Sequence, residues 1–185
     1  MKKFKVLLLI VFTSIFLIGC EEKVNNNIKA TIEVENYGTI EVELYKDYAP
    51  ITVDNFVKLV EANHYDGTKF HRIISGFMIQ GGQGAREGLV PITGEFRSNG
   101  IVNNLKHTRG VISMARANDP NSATDQFFIV HKDSPHLDGN YAGFGKVTKG
   151  IEIVDKICED TPVIDNNGTV PAEYQPVIKS IRIVK

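Results

Sequence analysis

The sequence predicts a mainly β domain, a closed eight-stranded antiparallel β-barrel capped by two α-helices. Three observations carry that reading. Apolar and polar residues alternate in short runs at both ends of the chain, as in 30–35, 39–44 and 177–184, which is the period of strands with one wet face. Turn-forming residues such as Asn36, Gly38, Ser75 and Gly76 separate neighbouring runs, as hairpins require. Only two stretches, one opening at Pro50 and one at Ile151, have helical character. Closing such a sheet pairs its first and last strands and removes its exposed edges.

Ala30 to Glu35 and Thr39 to Leu44 make the first hairpin across Asn36-Tyr37-Gly38, with Ile40, Val42 and Leu44 on one face. Pro50 then opens a helix in which Val53, Phe56, Leu59 and Val60 share a stripe. Asp54 is placed in its first turn, where the helix dipole favours an acid. The helix ends near Asn63-His64. Phe70 to Gly82 reads as two short strands joined at Ser75-Gly76. Phe70, Arg72 and Ile74 share one parity before the turn, and Met78 and Gln80 share one after it. Arg72 and Gln80 are therefore expected on one sheet face, beside Phe77 or Met78. A guanidinium beside an apolar slot suits a binding site, although a surface arginine on a half-buried hairpin fits the same pattern.

Gln83 to Asn104 is a long excursion with at most one short strand, and such a segment in a compact domain is usually either functional or a misassigned element. Gly110 to Met114 and Gln126 to Val130 are strands flanking the polar loop Ala115 to Asp125. His131 to Gly143 is a loop, Phe144 to Val147 a strand, Ile151 to Ile157 a helix, and Val177 to Val184 the last strand.

The first residues form a targeting segment rather than fold. Lys2, Lys3 and Lys5 precede Val6 to Ile18, 13 mostly apolar residues, a length that suits a signal-peptide core better than a membrane span. The run ends in Leu17-Ile18-Gly19-Cys20, which resembles the bacterial lipobox. That resemblance implies lipidation of Cys20, a signal peptide at 1–19, a polar tether at 20–28 and a folded domain at 29–185, held on the extracytoplasmic side of the cell membrane. Removing 1–19 takes three of the 21 basic residues and no acid, leaving 18 against 22 acids. The body is then mildly acidic, so the lipid rather than charge would hold it to the membrane.

Composition narrows the function. The 185 residues suffice for one domain with a core. A net charge of −1 points to no nucleic acid and to no acidic substrate. Two distant cysteines without metal-ligand spacing to a histidine argue against zinc, and no cofactor is expected. Cys158 reads as a buried free thiol at a helix edge, His71 as a structural histidine, and Asp119 and Asp125 as turn formers.

Four separated motifs then agree in content and order: Phe70 to Gly82, Ser113-Met114-Ala115, Ser122 to Phe128 with Gln126-Phe127-Phe128-Ile129, and Leu137-Asp138-Gly139 followed by Phe144-Gly145-Lys146-Val147. Together they resemble the cyclophilin family of peptidyl-prolyl cis–trans isomerases, from about Ala30 to Lys185. The resemblance implies an eight-stranded barrel with a substrate groove on the outside of the sheet. It makes Arg72 the catalytic arginine. Phe77, Met78, Phe128 and Leu137 become the walls of a proline pocket, Gln80 and Gln126 polar groove residues, and Ala115 a groove wall. Arg116 stands where many members have Asn, at a position that works through its backbone N–H. Tyr141 stands where many have His. His136 stands where cyclosporin-sensitive members carry Trp, which implies weak cyclosporin binding. The partners implied are proline-containing polypeptides, met by a monomer that assists the folding of exported proteins. A module that only holds such segments is the competing reading, and a surface interaction protein using the barrel as scaffold is a weaker one. The intact Arg72 favours the enzyme.

Overall fold

Residues 27–85 and 87–184 are described by the structure, a computed structural model, so Cys20 and its flanking segments lie outside the described residues. The strands are β1 (Ile28–Val34), β2 (Gly38–Leu44), β3 (Phe70–Ile74), β4 (Met78–Gly81), β5 (Val111–Met114), β6 (Phe127–Val130), β7 (Gly143–Lys149) and β8 (Ile178–Val184). Two helices, α1 (Pro50–Glu61) and α2 (Ile151–Asp160), accompany them. All strand pairs are antiparallel, in the order β3-β4-β6-β5-β7-β2-β1-β8.

The alternation of the first hairpin does what its pattern demands. Ala30, Ile32 and Val34 face Ile40, Val42 and Leu44 on the buried side, while Thr31 stands opposite Glu41 on the wet side. β1 also pairs with β8, so the first and last strands are neighbours. The sheet curls far enough to bring its two end strands, β3 and β8, near one another. Among the described residues no strand ladder joins them. A bridge between Lys69 and Val177 spans the gap, helped by Gly67 N–H to Ile178 O at 2.8 Å and Phe70 N–H to Pro176 O at 2.9 Å. Pro176 has no N–H to return, so pairing does not propagate there. The result is a curled half-barrel, stitched at one point where a fully laddered barrel was expected.

α1 covers the interior with Val53, Phe56, Leu59 and Val60. Phe56 meets Tyr65, Phe127 and Phe144 at ring-centroid distances of 5.1, 5.6 and 5.2 Å, an aromatic cluster that belongs to the main core. Asp54 is not in the first turn, because the helix starts four residues earlier at Pro50; it pairs with Lys46 instead. The acid at the helix N-terminus is Glu95. Its carboxylate accepts from Ile51 N–H (3.0 Å), Thr52 N–H (2.7 Å) and the Thr52 hydroxyl (2.7 Å), and Glu95 is only 2% exposed. This supplies the cap that Ala49 lacks.

Glu95 also explains the excursion. Between 83 and 104 (Arg86 excepted) the chain forms one 3-10 turn, Arg97–Asn99, and an isolated bridge from Ile92 to Ala123. It is held by side chains instead of a ladder: Glu95 on α1, and Asn103, whose amide donates to Glu95 O (3.0 Å) and Gly143 O (2.9 Å). Asn99 adds a bond to Gly94 O at 2.8 Å. At the other end, α2 buries Val154 and Ile157, and Cys158 is half-buried beside them. Burial pushes its thiol up to about 12, so it stays an unreactive thiol at neutral pH.

Truncating Glu95 should be costly because two helix N–H groups and a hydroxyl lose their acceptor together. Glu95→Ala is expected to lower the unfolding free energy by about 2–3 kcal/mol, read by urea denaturation. A variant as stable as the parent would remove Glu95 from this role.

Candidate functional site

The site begins with a slip in register. Phe70 stands opposite Gly81, but Arg72 stands opposite Gln80, so β3 carries one extra residue, His71, between them. Equal parity therefore does not put Phe70 and Arg72 on one face, as the alternation suggested. Phe70 is buried in the interior and Arg72 lies on the outside. Gly81 is needed here, since a Cβ would sit 2.5 Å from Lys69 O and 2.8 Å from the Phe70 ring.

Beyond the bulge, β3, β4, β6 and β5 run in step. Ile73, Ile79, Ile129 and Ile112 form one row across the four strands and face the core. The next row, Arg72, Gln80, Phe128 and Ser113, faces outward. Arg72 Nη1–H donates to Gln80 Oε1 at 3.2 Å, and Gln80 Nε2–H to Gln126 Oε1 at 3.0 Å. Arg72 Nε–H donates to Asn167 O at 2.8 Å. The turn that presents this carbonyl is tied by Asp165, which accepts from Asn167 N–H (2.9 Å), Thr169 N–H (3.0 Å) and the Thr169 hydroxyl (2.8 Å). Those bonds hold its carboxyl below the usual range. The guanidinium is thus clamped from two sides with further N–H groups left over.

Around it the outer face carries a second apolar cluster: Met78, Val111, Phe128, Val130 and Leu137, with Phe77, Ala115 and Tyr141 packed against it. A cavity of about 190 Å³ opens there, lined by Arg72, Phe77, Met78, Gln80, Ala115, Arg116, Phe128, Leu137 and Tyr141. The structure thus brings nine of the residues singled out from sequence together. Gln126 lines a neighbouring cavity of about 500 Å³, which shares Gln80, Ala115 and Arg116 with the first. His136 does not line the smaller cavity; it is exposed, with its ring 5.2 Å from that of Phe77. Among the described residues nothing accepts the backbone N–H of Arg116.

Beneath Phe128 lies a tie that sequence reasoning missed. His107 is buried and lies nearly parallel to the Phe128 ring, 6.2 Å away. Its Nε2 is 3.0 Å from Ser113 Oγ and its Nδ1 3.1 Å from Asp138 Oδ1, which also accepts His107 N–H at 2.8 Å. Burial lowers the affinity of His107 for a second proton, so the ring stays neutral, donating from Nδ1 to Asp138 and accepting from Ser113. Serine, histidine and acid stand in the order of a nucleophilic triad, but Ser113 is completely buried. The arrangement fixes the floor and the turn carrying Leu137. Its members are dispersed in sequence, and no spacing signals them.

Asp125 also departs from its reading as a turn former. It is 2% exposed and accepts from Gly84 N–H (3.0 Å), His64 Nε2 (3.0 Å) and the Thr124 hydroxyl (2.9 Å). Burial opposes its ionisation, and these bonds outweigh burial and hold its carboxyl below the usual range. Asp119 does form a turn, accepting Asn121 N–H at 2.8 Å. His71 is part-buried, and burial first, then the charge of Arg72, keeps it neutral.

The site is a clamped guanidinium beside a small cavity with both apolar and polar walls, on the outside of a β half-barrel. A family model described as cyclophilin type peptidyl-prolyl cis-trans isomerase/CLD matches residues 29–184. A peptidyl-prolyl cis-trans isomerase of Acinetobacter baylyi is 44% identical over 162 residues, covering 81% of this chain and 85% of the relative. Peptidyl-prolyl cis-trans isomerase A of Dickeya dadantii is 42% identical over 154 residues, covering 80% of each. A cyclophilin-type isomerase of Cryptosporidium parvum, solved in the presence of the dipeptide Ala-Pro, matches with a TM-score of 0.71 at 32% identity, over 85% of this chain and 99% of its own. The chain belongs to the cyclophilin family and is a peptidyl-prolyl cis–trans isomerase.

The buried polar ties set how acid acts on stability. His107 and His71 bind a proton less readily when folded, so their contribution is full above the unfolded value of about 6.5 and falls away as pH drops through the lower folded values. Asp125 and Asp138 are lowered too, Asp138 because bonds from His107 and Lys106 outweigh burial. Their contribution is lost as pH falls below about 4. Thermal melts are expected to be level between pH 7 and 8, to decline below about 6.5 and to drop more steeply below about 4. A melting temperature that stays level from pH 7 to 5 would overturn the part assigned to the histidines.

Proposed function

We propose that the chain is a monomeric, lipid-anchored isomerase working on proline-containing segments of exported polypeptides at the outer face of the cell membrane. The observation that carries the catalytic part is the position of Arg72: on the outside of the sheet, clamped by Gln80 and Asn167 O, beside the apolar walls that Phe77, Met78, Phe128 and Leu137 give the cavity.

Rotation about an X–Pro bond meets a barrier of about 20 kcal/mol because amide resonance must be broken. No proton or covalent bond is transferred. The side of the cavity walled by Met78, Phe128 and Leu137 takes the apolar proline ring. The backbone N–H of Arg116, at the same cavity, holds the substrate carbonyl. A free N–H of Arg72 then points at the prolyl nitrogen, whose lone pair becomes available as resonance is lost. That bond strengthens only in the twisted state, which is the condition for lowering the barrier. Gln80 keeps the guanidinium in place, and Gln126 keeps Gln80 in place. A module that only holds its ligand has no use for such a donor.

Arg72→Ala is expected to lower kcat/KM by roughly tenfold to a thousandfold, the range for loss of one transition-state donor, with the fold retained. Parent-like rates from a folded Arg72→Ala protein would instead favour the holding module. Weak cyclosporin binding belongs to the same reading, because the imidazole of His136 offers a smaller surface than an indole.

The anchoring rests on the lipobox-like Leu17-Ile18-Gly19-Cys20. A diacylglyceryl group at Cys20 supplies two chains, enough for stable attachment where one is marginal. In cells, Cys20→Ala is expected to leave an unprocessed chain that takes up no labelled fatty acid. Undiminished labelling of that variant would refute the assignment.

A further inference from the structure

Two guanidinium groups line the smaller cavity, Arg72 and Arg116, and Arg116 lines the larger one as well. Neither takes part in an ion pair among the described residues. The acids nearby are already committed. Asp125 is buried and bonded to Gly84, His64 and Thr124, Asp119 closes its own turn, and Glu95 caps α1. Arg116 is nonetheless rigidly placed. Nε–H and Nη2–H donate to Asn140 O at 3.1 and 3.0 Å, Nη1 donates to Ala117 O at 2.8 Å and Asn118 O at 3.3 Å, which leaves one Nη2–H for a ligand, and the guanidinium lies 4.7 Å from the Tyr141 ring and 5.1 Å from the Phe96 ring. Carbonyls and rings orient the group but leave its formal charge uncancelled. A cleft lined by one sign of charge concentrates ligands of the other.

The larger cavity is separated from the smaller by a wall of Gln80, Ala115 and Arg116. An extended chain advances about 3.3 Å per residue, with every second side chain on the same face. A segment whose proline occupies the smaller cavity therefore delivers a side chain two or three residues away to the larger one. We propose that Arg116 is a specificity-determining residue, selecting segments that carry an acidic side chain two or three residues from the proline, its carboxylate seated at the Arg116 guanidinium. This rests on the reading of the smaller cavity as the proline pocket. It also departs from what the near-zero net charge suggested, because the charge that matters is local.

The test uses the domain with peptides that each hold one X–Pro bond and carry Glu, Gln or Lys two or three residues to either side. Exchange NMR, which needs no coupling protease, gives kcat/KM for each. At one position Glu is expected to exceed Gln by about two- to fivefold and Lys to fall below Gln, the range for a solvent-exposed pair, and 0.5 M salt should shrink the difference. Arg116→Gln should bring the Glu-to-Lys ratio to near one, and Arg116→Lys should keep it. The comparison is a ratio within each variant, so a general loss of rate leaves it readable, and peptide affinity from chemical-shift titration serves a variant too slow to assay. Turnover of the Gln peptides by the parent, and its loss in Arg72→Ala, tests the pocket assignment separately. A ratio near one at every position in the parent, or one unchanged in Arg116→Gln, would overturn the proposal.

Discussion

One extra residue in β3 decides which side of the sheet does what. Because His71 bulges between Phe70 and Arg72, the strand spends its alternation twice: Phe70 and Ile73 enter the core, and Arg72 and Ile74 leave it. Without the slip, Phe70 and Arg72 would share a face, and either the aromatic would be exposed or the charge buried. Burying an unpaired guanidinium costs several kcal/mol, and exposing a phenylalanine forfeits roughly 2–3 kcal/mol. Both losses are avoided by a bulge and by the missing side chain at Gly81.

The same four strands then carry two apolar layers back to back. Inside, the row of four isoleucines and the aromatics around Phe56 make the core. Outside, Met78, Phe128, Val130 and Leu137 make the floor of the groove. Arg72, Met78, Gln80 and Phe128 of the smaller cavity thus stand on strands packed against the core, which fixes their geometry.

The loops around that floor are positioned by buried polar ties. Glu95 fastens the 83–104 excursion to α1, Asp125 fastens Gly84 to His64, and His107 fastens Asp138 to Ser113. Each satisfies groups that would otherwise be buried without partners, and each is therefore expensive to break. This is how segments without strand ladders hold a groove wall within hydrogen-bonding accuracy. Arg116 is held by carbonyls and has no ion pair among the described residues, whereas Asp125, which lines the same larger cavity, is engaged by Gly84, His64 and Thr124.

Local pattern by itself determined the strands, both helices and the outward pairing of Arg72 with Gln80, because alternation and helical spacing are set by neighbours a few residues apart. The resemblance carried by the motif at 70–82 and by Gln126 to Ile129 implied a groove, and the structure brings Arg72, Met78, Gln80 and Phe128 together because they come from adjacent strands. What only the tertiary structure decided are the contacts between residues far apart in sequence. Parity could not reveal the bulge at His71, which exists only in register against β4. A helix pattern could not reveal that its capping acid is Glu95, 43 residues beyond Thr52. Nor could composition show that Arg72 and Arg116 form no ion pair among the described residues, since charge balance is summed over the chain while electrostatic attraction acts over a few ångströms.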